Sequence, residues 1–261
     1  MESYIFFDID GTIYDYYKGI PDSTKLAVRL LREKGHHPVI CTGRTRVMIF
    51  DEIISLGFDG IVAGGGTYIE WNGRVIHEEE LPLSELKRLI GCLREHGFIP
   101  YPEGNHYFYY DPTHEDIEKE EIYRLYQMHI PEKLAPINLE DMHASKVSSR
   151  YTPKADARAV IELVKDDYIY VEHDDGSLFE LIPKDASKGT GVRRLMDYLG
   201  EDMENTCGFG DSFNDLDMLK TVKRGVVMGN GNEELKKLIP LHTEGMYEDG
   251  VFNALRRFKL I

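Results

Sequence analysis

Short apolar runs alternate with longer stretches whose apolar residues recur every three or four positions, and this rhythm marks both ends of the chain. Tyr4-Ile5-Phe6-Phe7 is uninterrupted and rich in aromatic residues, as in a strand buried on both faces. Leu26, Leu30 and Leu31 then recur at helical spacing between a start at Pro21-Asp22-Ser23 and a stop at Gly35. Pro38-Val39-Ile40-Cys41 predicts a second strand. A helix carrying Met48, Ile49 and Ile53 to Gly57 follows, and Ile61-Val62-Ala63 predicts a third strand. Strands joined through helices in this order build a parallel sheet with right-handed crossovers. Asp8 and Thr42, which follow the first two strands, therefore share one edge of that sheet.

The rhythm breaks in the middle. Residues 68–71 and 74–77 flank Asn72-Gly73, a hairpin signal because both turn positions tolerate positive φ. From about Pro82, Leu86, Leu89, Ile90 and Leu93 form one apolar helix face that ends at Gly97. Tyr107-Phe108-Tyr109-Tyr110 reads as a strand, 117–128 as a charged helix, 146–151 as a strand and 155–164 as a helix. Residues 168–171 and 178–182 read as a hairpin. Hairpins with interspersed helices make an α+β module. After Pro183 the alternation returns: a helix over 189–199, a strand Thr206-Cys207-Gly208-Phe209, and a helix carrying Leu216, Leu219 and Val222. A strand Gly225-Val226-Val227-Met228 and helices near 233–238 and 251–258 complete the chain. The expected fold class is α/β. A Rossmann-like, doubly wound parallel sheet core is formed by residues 1–81 and 184–261, with residues 82–183 inserted as an α+β domain.

Composition narrows the function. The 261 residues are 42% hydrophobic and 30% charged, ordinary for a globular protein. A net charge of −15, with no Lys/Arg run, excludes the basic footprint that nucleic-acid binding needs. No apolar stretch approaches the roughly 20 residues of a membrane-spanning helix, and the N-terminus does not read as a signal peptide. Cys41, Cys92 and Cys207 are odd in number and far apart, which suits reduced thiols in a cytoplasm.

Two carboxylates close the first strand. Alone, Asp8-Ile9-Asp10-Gly11 reads equally as turn chemistry or as carboxylates delivered to the crevice at a sheet's carboxyl edge. Three further groups reach the same edge: Thr42-Gly43, Lys188, and Asp211 with Asn214 and Asp215. Each has a plainer reading of its own. Thr42 caps the following helix, Lys188 is a solvated lysine, and Asp211 to Asp215 favour a helix dipole. Cys92 and His96 lie one helical turn apart, but two ligands do not make a zinc site.

Taken in order, Asp-x-Asp-Gly-Thr, Thr-Gly-Arg, Ser-Lys-Gly and Gly-Asp-x-x-Asn-Asp resemble the four motifs of the haloacid dehalogenase-like hydrolases. The resemblance spans nearly the whole chain. The long insertion resembles the cap of the Cof-type phosphatase branch, as does the ending Glu248-Asp249-Gly250-Val251. Two positions depart from the family's pattern. Ala63-Gly64-Gly65-Gly66-Thr67 stands where an Asn-Gly pair is common, and Asp185 where glycine is frequent.

The chemistry of such a site follows from its charges. Hydrolysis of a phosphate monoester needs accelerations of up to about 10²¹, and a carboxylate nucleophile divides the step in two through an aspartyl-phosphate. Four ionised carboxylates and a phosphate of about two negative charges face the single cation of Lys188. A divalent metal is needed, and Mg²⁺ suits an oxygen-only site that also binds phosphate. The resemblance implies the roles. Asp8 is nucleophile and metal ligand. Asp10 is the acid and base, and its backbone carbonyl a second ligand. Asp211 is the third ligand, and Asp215 acts through a water or orients its neighbours. Thr42, Gly43, Lys188 and Asn214 bind the substrate phosphate, Lys188 also balancing charge on the transferring group. Arg44 reads equally as a substrate contact or as half of a core-to-cap ion pair.

The expected activity is that of a phosphoric monoester hydrolase on a small phosphorylated metabolite. A sugar phosphate comes first, then a nucleotide or phosphorylated cofactor. A sugar phosphomutase uses the same aspartyl-phosphate, and a phospho-accepting signalling switch uses similar residues without turnover. The second carboxylate at Asp10 and the insertion argue against the switch.

Overall fold

The computed structural model describes residues 2–172 and 178–261. In chain order, β1 (Tyr4–Phe7), α1 (Asp22–Glu33), β2 (His37–Cys41), α2 (Asp51–Ile54) and β3 (Gly60–Ala63) lead into the hairpin β4 (Tyr68–Trp71) and β5 (Arg74–Glu78). There follow α3 (Leu83–Glu95), β6 (Phe98–Glu103), β7 (Phe108–Tyr110), α4 (Glu121–His129), β8 (Leu134–Pro136) and β9 (Lys146–Tyr151). Next come α5 (Ala157–Val164), β10 (Tyr168–Glu172) and β11 (Phe179–Pro183). The chain ends with α6 (Lys188–Leu199), β12 (Thr206–Gly210), α7 (Leu216–Thr221), β13 (Arg224–Val227), α8 (Glu233–Leu238), β14 (Leu241–His242) and α9 (Gly250–Arg257).

These elements form two compact units. One holds the chain up to Gly43, Asp51–Glu78 and Ser187–Ile261; the other holds Arg44–Phe50 and the described part of Glu79–Ala186. The first is the α/β unit. Its eight-stranded sheet runs β14-β13-β12-β1-β2-β3-β4-β5, parallel as far as β3, with β4 and β5 added antiparallel. The strand order reverses between β1 and β12, where an open α/β sheet forms its crevice. β1 is buried along its whole length because helices cover both faces of the sheet. Tyr4 and Phe6 pack with Val192, Leu195 and Met196 of α6. Phe7 stacks on its register partner Phe209 at 5.3 Å between ring centroids.

The second unit is α+β, with a six-stranded sheet ordered β10-β11-β9-β6-β7-β8. Leu86, Leu89, Ile90 and Leu93 of α3 pack on Phe98, Val147, Phe179 and Leu181. The hairpin expected over 168–171 and 178–182 is β10 paired antiparallel with β11, and its connection lies outside the described residues.

One strand lies where the sequence pattern signals no element, and two local readings differ from the sequence expectation. β6 is a central strand despite Pro100 and Pro102, residues that argue against a ladder position. Glu103 O accepts from Ser145 N on the β9 side, whereas Gly104 N donates to Tyr107 O on the β7 side. By the two-residue alternation the proline nitrogens face the β7 side, where the pairing is confined to Glu103 and Phe108. The helix expected through Met48, Ile49 and Ile53 is a single 3₁₀ turn at Arg46–Met48 followed by the short α2. Ile49 is extended (ψ 109°), and Phe50 stacks on His129 at 4.3 Å within the second unit. The charged helix expected over 117–128 divides into a 3₁₀ turn, Ile117–Lys119, and α4.

Candidate active site

β1 ends at Phe7, and Asp8 N donates to Phe209 O at 3.0 Å, so the first carboxylate begins where the parallel ladder ends. The next turn closes on itself: Ile9 O accepts from the backbone N–H groups of Thr12, Ile13 and Tyr14. Gly11 lies in this turn at φ +75°. A Cβ there would meet Asp211 Oδ2 at 2.3 Å, so both backbone angle and space require glycine. The Gly11 turn and Asp211, at the end of β12, thus press against each other.

Lys188 is delivered by the start of α6. Ser187 caps that helix by accepting from Thr190 N, and Thr190 Oγ1 accepts from Ser187 N in return. Ser187 Oγ also donates to Asp217 of α7. The glycine run after β3 sets the height of this helix. At Gly66 (φ +100°) a Cβ would fall 2.3 Å from Ser187 O, and Gly65 N donates to Thr42 O at 3.0 Å. Where the Asn-Gly pair is absent, glycine backbone therefore supports both Thr42 and the Lys188 helix.

From this start Lys188 Nζ donates to Asp8 Oδ1 at 2.7 Å, Asp215 Oδ1 at 2.6 Å and Asn214 Oδ1 at 3.3 Å. The Lys188, Asp8 and Asp215 side chains are 2%, 6% and 0% exposed. The other oxygen of Asp215 accepts from Asp211 N (2.9 Å) and Ser212 N (3.0 Å). Ser212 Oγ donates to Asn214 Oδ1 at 2.8 Å. A Cβ on Gly43 would lie 3.8 Å from Asn214 Nδ2, so the Thr42-Gly43 loop borders the same group. Thr42 is buried, and its N–H donates to Val62 O at 2.9 Å. Asp10 is exposed at the head of its turn.

Burial, and then the Asp215 carboxylate, pushes Asp8 well above the usual carboxylate range, with Lys188 pulling the other way. The same two causes raise Asp211 to about 7. Burial opposes charge on Lys188, but Asp215 and then Asp8 overcome it and hold the ammonium protonated. Carboxylate oxygens of Asp8, Asp211 and Asp215 lie within 4.8 Å of one another. Hard oxygen donors, crowded and repelling, fit a small divalent cation.

Among the expected residues, Asp8, Lys188, Asp211, Asn214 and Asp215 meet in one cluster, with Gly43 beside it. Arg44 belongs to the second unit, where its guanidinium donates to Met48 O at 3.1 Å and lies 5.0 Å over the Phe50 ring. The sequence reading missed Asn230, whose side chain reaches Gly11 O. Its one sequence signal is the turn-rich Gly229-Asn230-Gly231-Asn232 after a buried strand.

A parallel α/β sheet with this acidic cluster and buried lysine at its carboxyl edge defines a class. The haloacid dehalogenase-like hydrolase family matches residues 5–255, and the chain belongs to that family, in its Cof-type phosphatase branch. YkrA of Bacillus subtilis (strain 168), which carries a provisional phosphatase name, is 28% identical over 285 residues spanning 98% of each chain. The crystal structure of a hypothetical protein from Geobacillus kaustophilus HTA426 superposes with a TM-score of 0.86 at 25% identity over 100% of both chains. A HAD subclass IIB sugar phosphatase superposes with a TM-score of 0.84 at 23% identity, covering 99% of this chain and 100% of its own, and shares the fold. No helix among the described residues is long and apolar enough to cross a membrane.

Proposed function

We propose that this enzyme is a Mg²⁺-dependent phosphatase that hydrolyses a small phosphorylated metabolite through an aspartyl-phosphate on Asp8. The observation that carries the reading is the buried contact of Lys188 with Asp8 at 2.7 Å, beside the Asp211 and Asp215 carboxylates. Asp8 attacks phosphorus while the ester P–O bond breaks, and Asp10 gives its proton to the departing alkoxide. A water then attacks the phosphoryl group, Asp10 takes the water's proton, and the bond to Asp8 breaks to restore its carboxylate. Lys188 neutralises charge on the transferring oxygens. Thr42, Gly43 and Asn214 hold the phosphate.

Asp8, Asp211 and the Asp10 carbonyl would hold Mg²⁺, which supplies charge neutralisation at the phosphate. Asp215, with its oxygens turned to Lys188 and to the 211–212 backbone, fixes its neighbours.

In this reading the second unit serves as the cap, the part that selects the substrate. A sugar phosphate is the first choice, then a nucleotide or phosphorylated cofactor. The acidic surface charge and three free cysteines suit a small-molecule enzyme of the cytoplasm. Phosphate release from a broad panel of phosphomonoesters with Mg²⁺, alongside Asp8→Asn and EDTA, tests the reading. Turnover confined to the metal-loaded wild type supports it; full activity of Asp8→Asn or in EDTA contradicts it.

A further inference from the structure

The loop after β13 grips the Asp8–Asp10 turn and Asp211 together. Asn230 Nδ2 donates to Gly11 O at 2.7 Å, and Asn230 Oδ1 accepts from Met246 N at 2.8 Å. Two residues on, Asn232 N donates to Asp211 O at 2.8 Å. Between them, a Cβ on Gly231 would lie 2.8 Å from Asp211 O. One short loop therefore touches both acidic segments, and Asn230 is its side-chain link to the first.

The position of that link matters. Gly11 follows Asp10 directly, and as a glycine at positive φ it is the most deformable joint between Asp10 and Thr12. The turn is held from within by Gly11 N donating to Tyr14 O at 3.1 Å and by the bonds to Ile9 O. These fix its curl, while its packing on Asp211 limits how near it can come on that side only. A side-chain amide anchored at its far end by Met246 N supplies the outside constraint.

We propose that Asn230 is a positioning residue for Asp10: it fixes the Gly11 carbonyl, and with it the direction from which the Asp10 carboxyl delivers its proton. This rests on the reading of Asp10 as acid and base. The first half-reaction forms the P–O bond to Asp8, breaks the ester P–O bond and moves the Asp10 proton to the leaving oxygen. A displaced turn slows that transfer without removing the nucleophile or Lys188.

The test compares leaving groups. For Asn230→Ala, kcat/KM, which reports steps up to departure of the alcohol, is measured with an alkyl phosphate that the wild type turns over and with 2,4-dinitrophenyl phosphate. Dinitrophenolate departs without a proton. The expected result is a loss of at least about tenfold for the alkyl ester and within about twofold for the dinitrophenyl ester, since positioned proton transfer contributes roughly 10²–10⁴. Asn230→Gln, which retains the amide, is expected to recover part of the alkyl rate. Thermal melting accompanies each variant, and Asn230→Ser replaces Asn230→Ala if the latter does not fold. Equal losses on both esters, or none, overturn the inference while leaving the phosphatase reading intact. A wild type that hydrolyses neither ester nor any other phosphomonoester overturns both.

Discussion

Lys188 Nζ lies 2.7 Å from Asp8 Oδ1, with 2% and 6% of the two side chains exposed, although 180 residues separate them in the chain. A buried cation shared with Asp215 offsets repulsion in the resting site, and in the proposed mechanism it balances charge on the transferring group. Lys188→Met is expected to lower kcat by about 10²–10³ or more, the range for losing one preorganised electrostatic contact. It is also expected to cost roughly 3–5 kcal/mol in metal-free urea unfolding, because Asp8 and Asp215 remain buried without their partner. A variant with wild-type kcat would separate the lysine from the chemistry.

The pH dependence of the metal-free protein follows from Asp211. Its carboxyl is raised from 3.8 to about 7 by burial and Asp215. Between those values the folded state holds a proton that the unfolded state has released, so stability falls as pH rises through this window. The raised Asp8 acts in the same direction. Melting in EDTA is expected to show a higher Tm at pH 5 than at pH 7.5, and added Mg²⁺ to raise Tm more at the higher pH. A metal-free Tm that climbs steadily from pH 5 to 7.5 would contradict the assignment.

Gly66, in the glycine run after β3, carries structural weight. With φ +100° and a Cβ position 2.3 Å from Ser187 O, Gly66→Ala forces strain or a shift of the first turn of α6. The expected cost is about 1–3 kcal/mol, with a drop in activity because Lys188 begins that turn. Gly73→Ala shares a positive φ (+75°) but meets nothing within 4 Å, so it is the control, expected to lower stability without affecting activity. Equal activity losses in the two variants would show that the packing at Ser187 is irrelevant.

In the second unit, Lys146 Nζ sits 2.8 Å from Glu180 and 3.2 Å from Glu103, and Ser148 also donates to Glu103. Burial opposes charge on Lys146, but Glu103 and then Glu180 hold it protonated. Lys146→Met is expected to destabilise by roughly 3–5 kcal/mol, and Lys146→Met with Glu103→Gln by less, since fewer unpaired charges remain. Urea midpoints of the two variants decide this. A double variant less stable than the single would contradict the ion-pair account.

Much of the α/β unit was legible because its signals are local. β1, β2 and β3 are short apolar runs, and the acidic or hydroxyl residues that follow them are sequence neighbours of the strands that place them. Lys188 was legible through its order among the motifs, not through its own surroundings. β6 was not, since two prolines hide a strand whose tolerance depends on which neighbour each nitrogen faces. Phe50 likewise leaves its expected helix for a ring stack with His129, a partner 79 residues away (129 − 50). Asn230 was missed because its contact with Gly11 spans 219 residues and its type is common in turns.

The most direct measurement is to quench the enzyme in acid during turnover of an active phosphomonoester with Mg²⁺ and to map covalent phosphate by mass spectrometry. The expected result is phosphate on Asp8, appearing and decaying with turnover, and neither adduct nor phosphate release in Asp8→Asn. Phosphate on another residue, phosphate that stays on Asp8 without release, or undiminished turnover by Asp8→Asn would contradict the account.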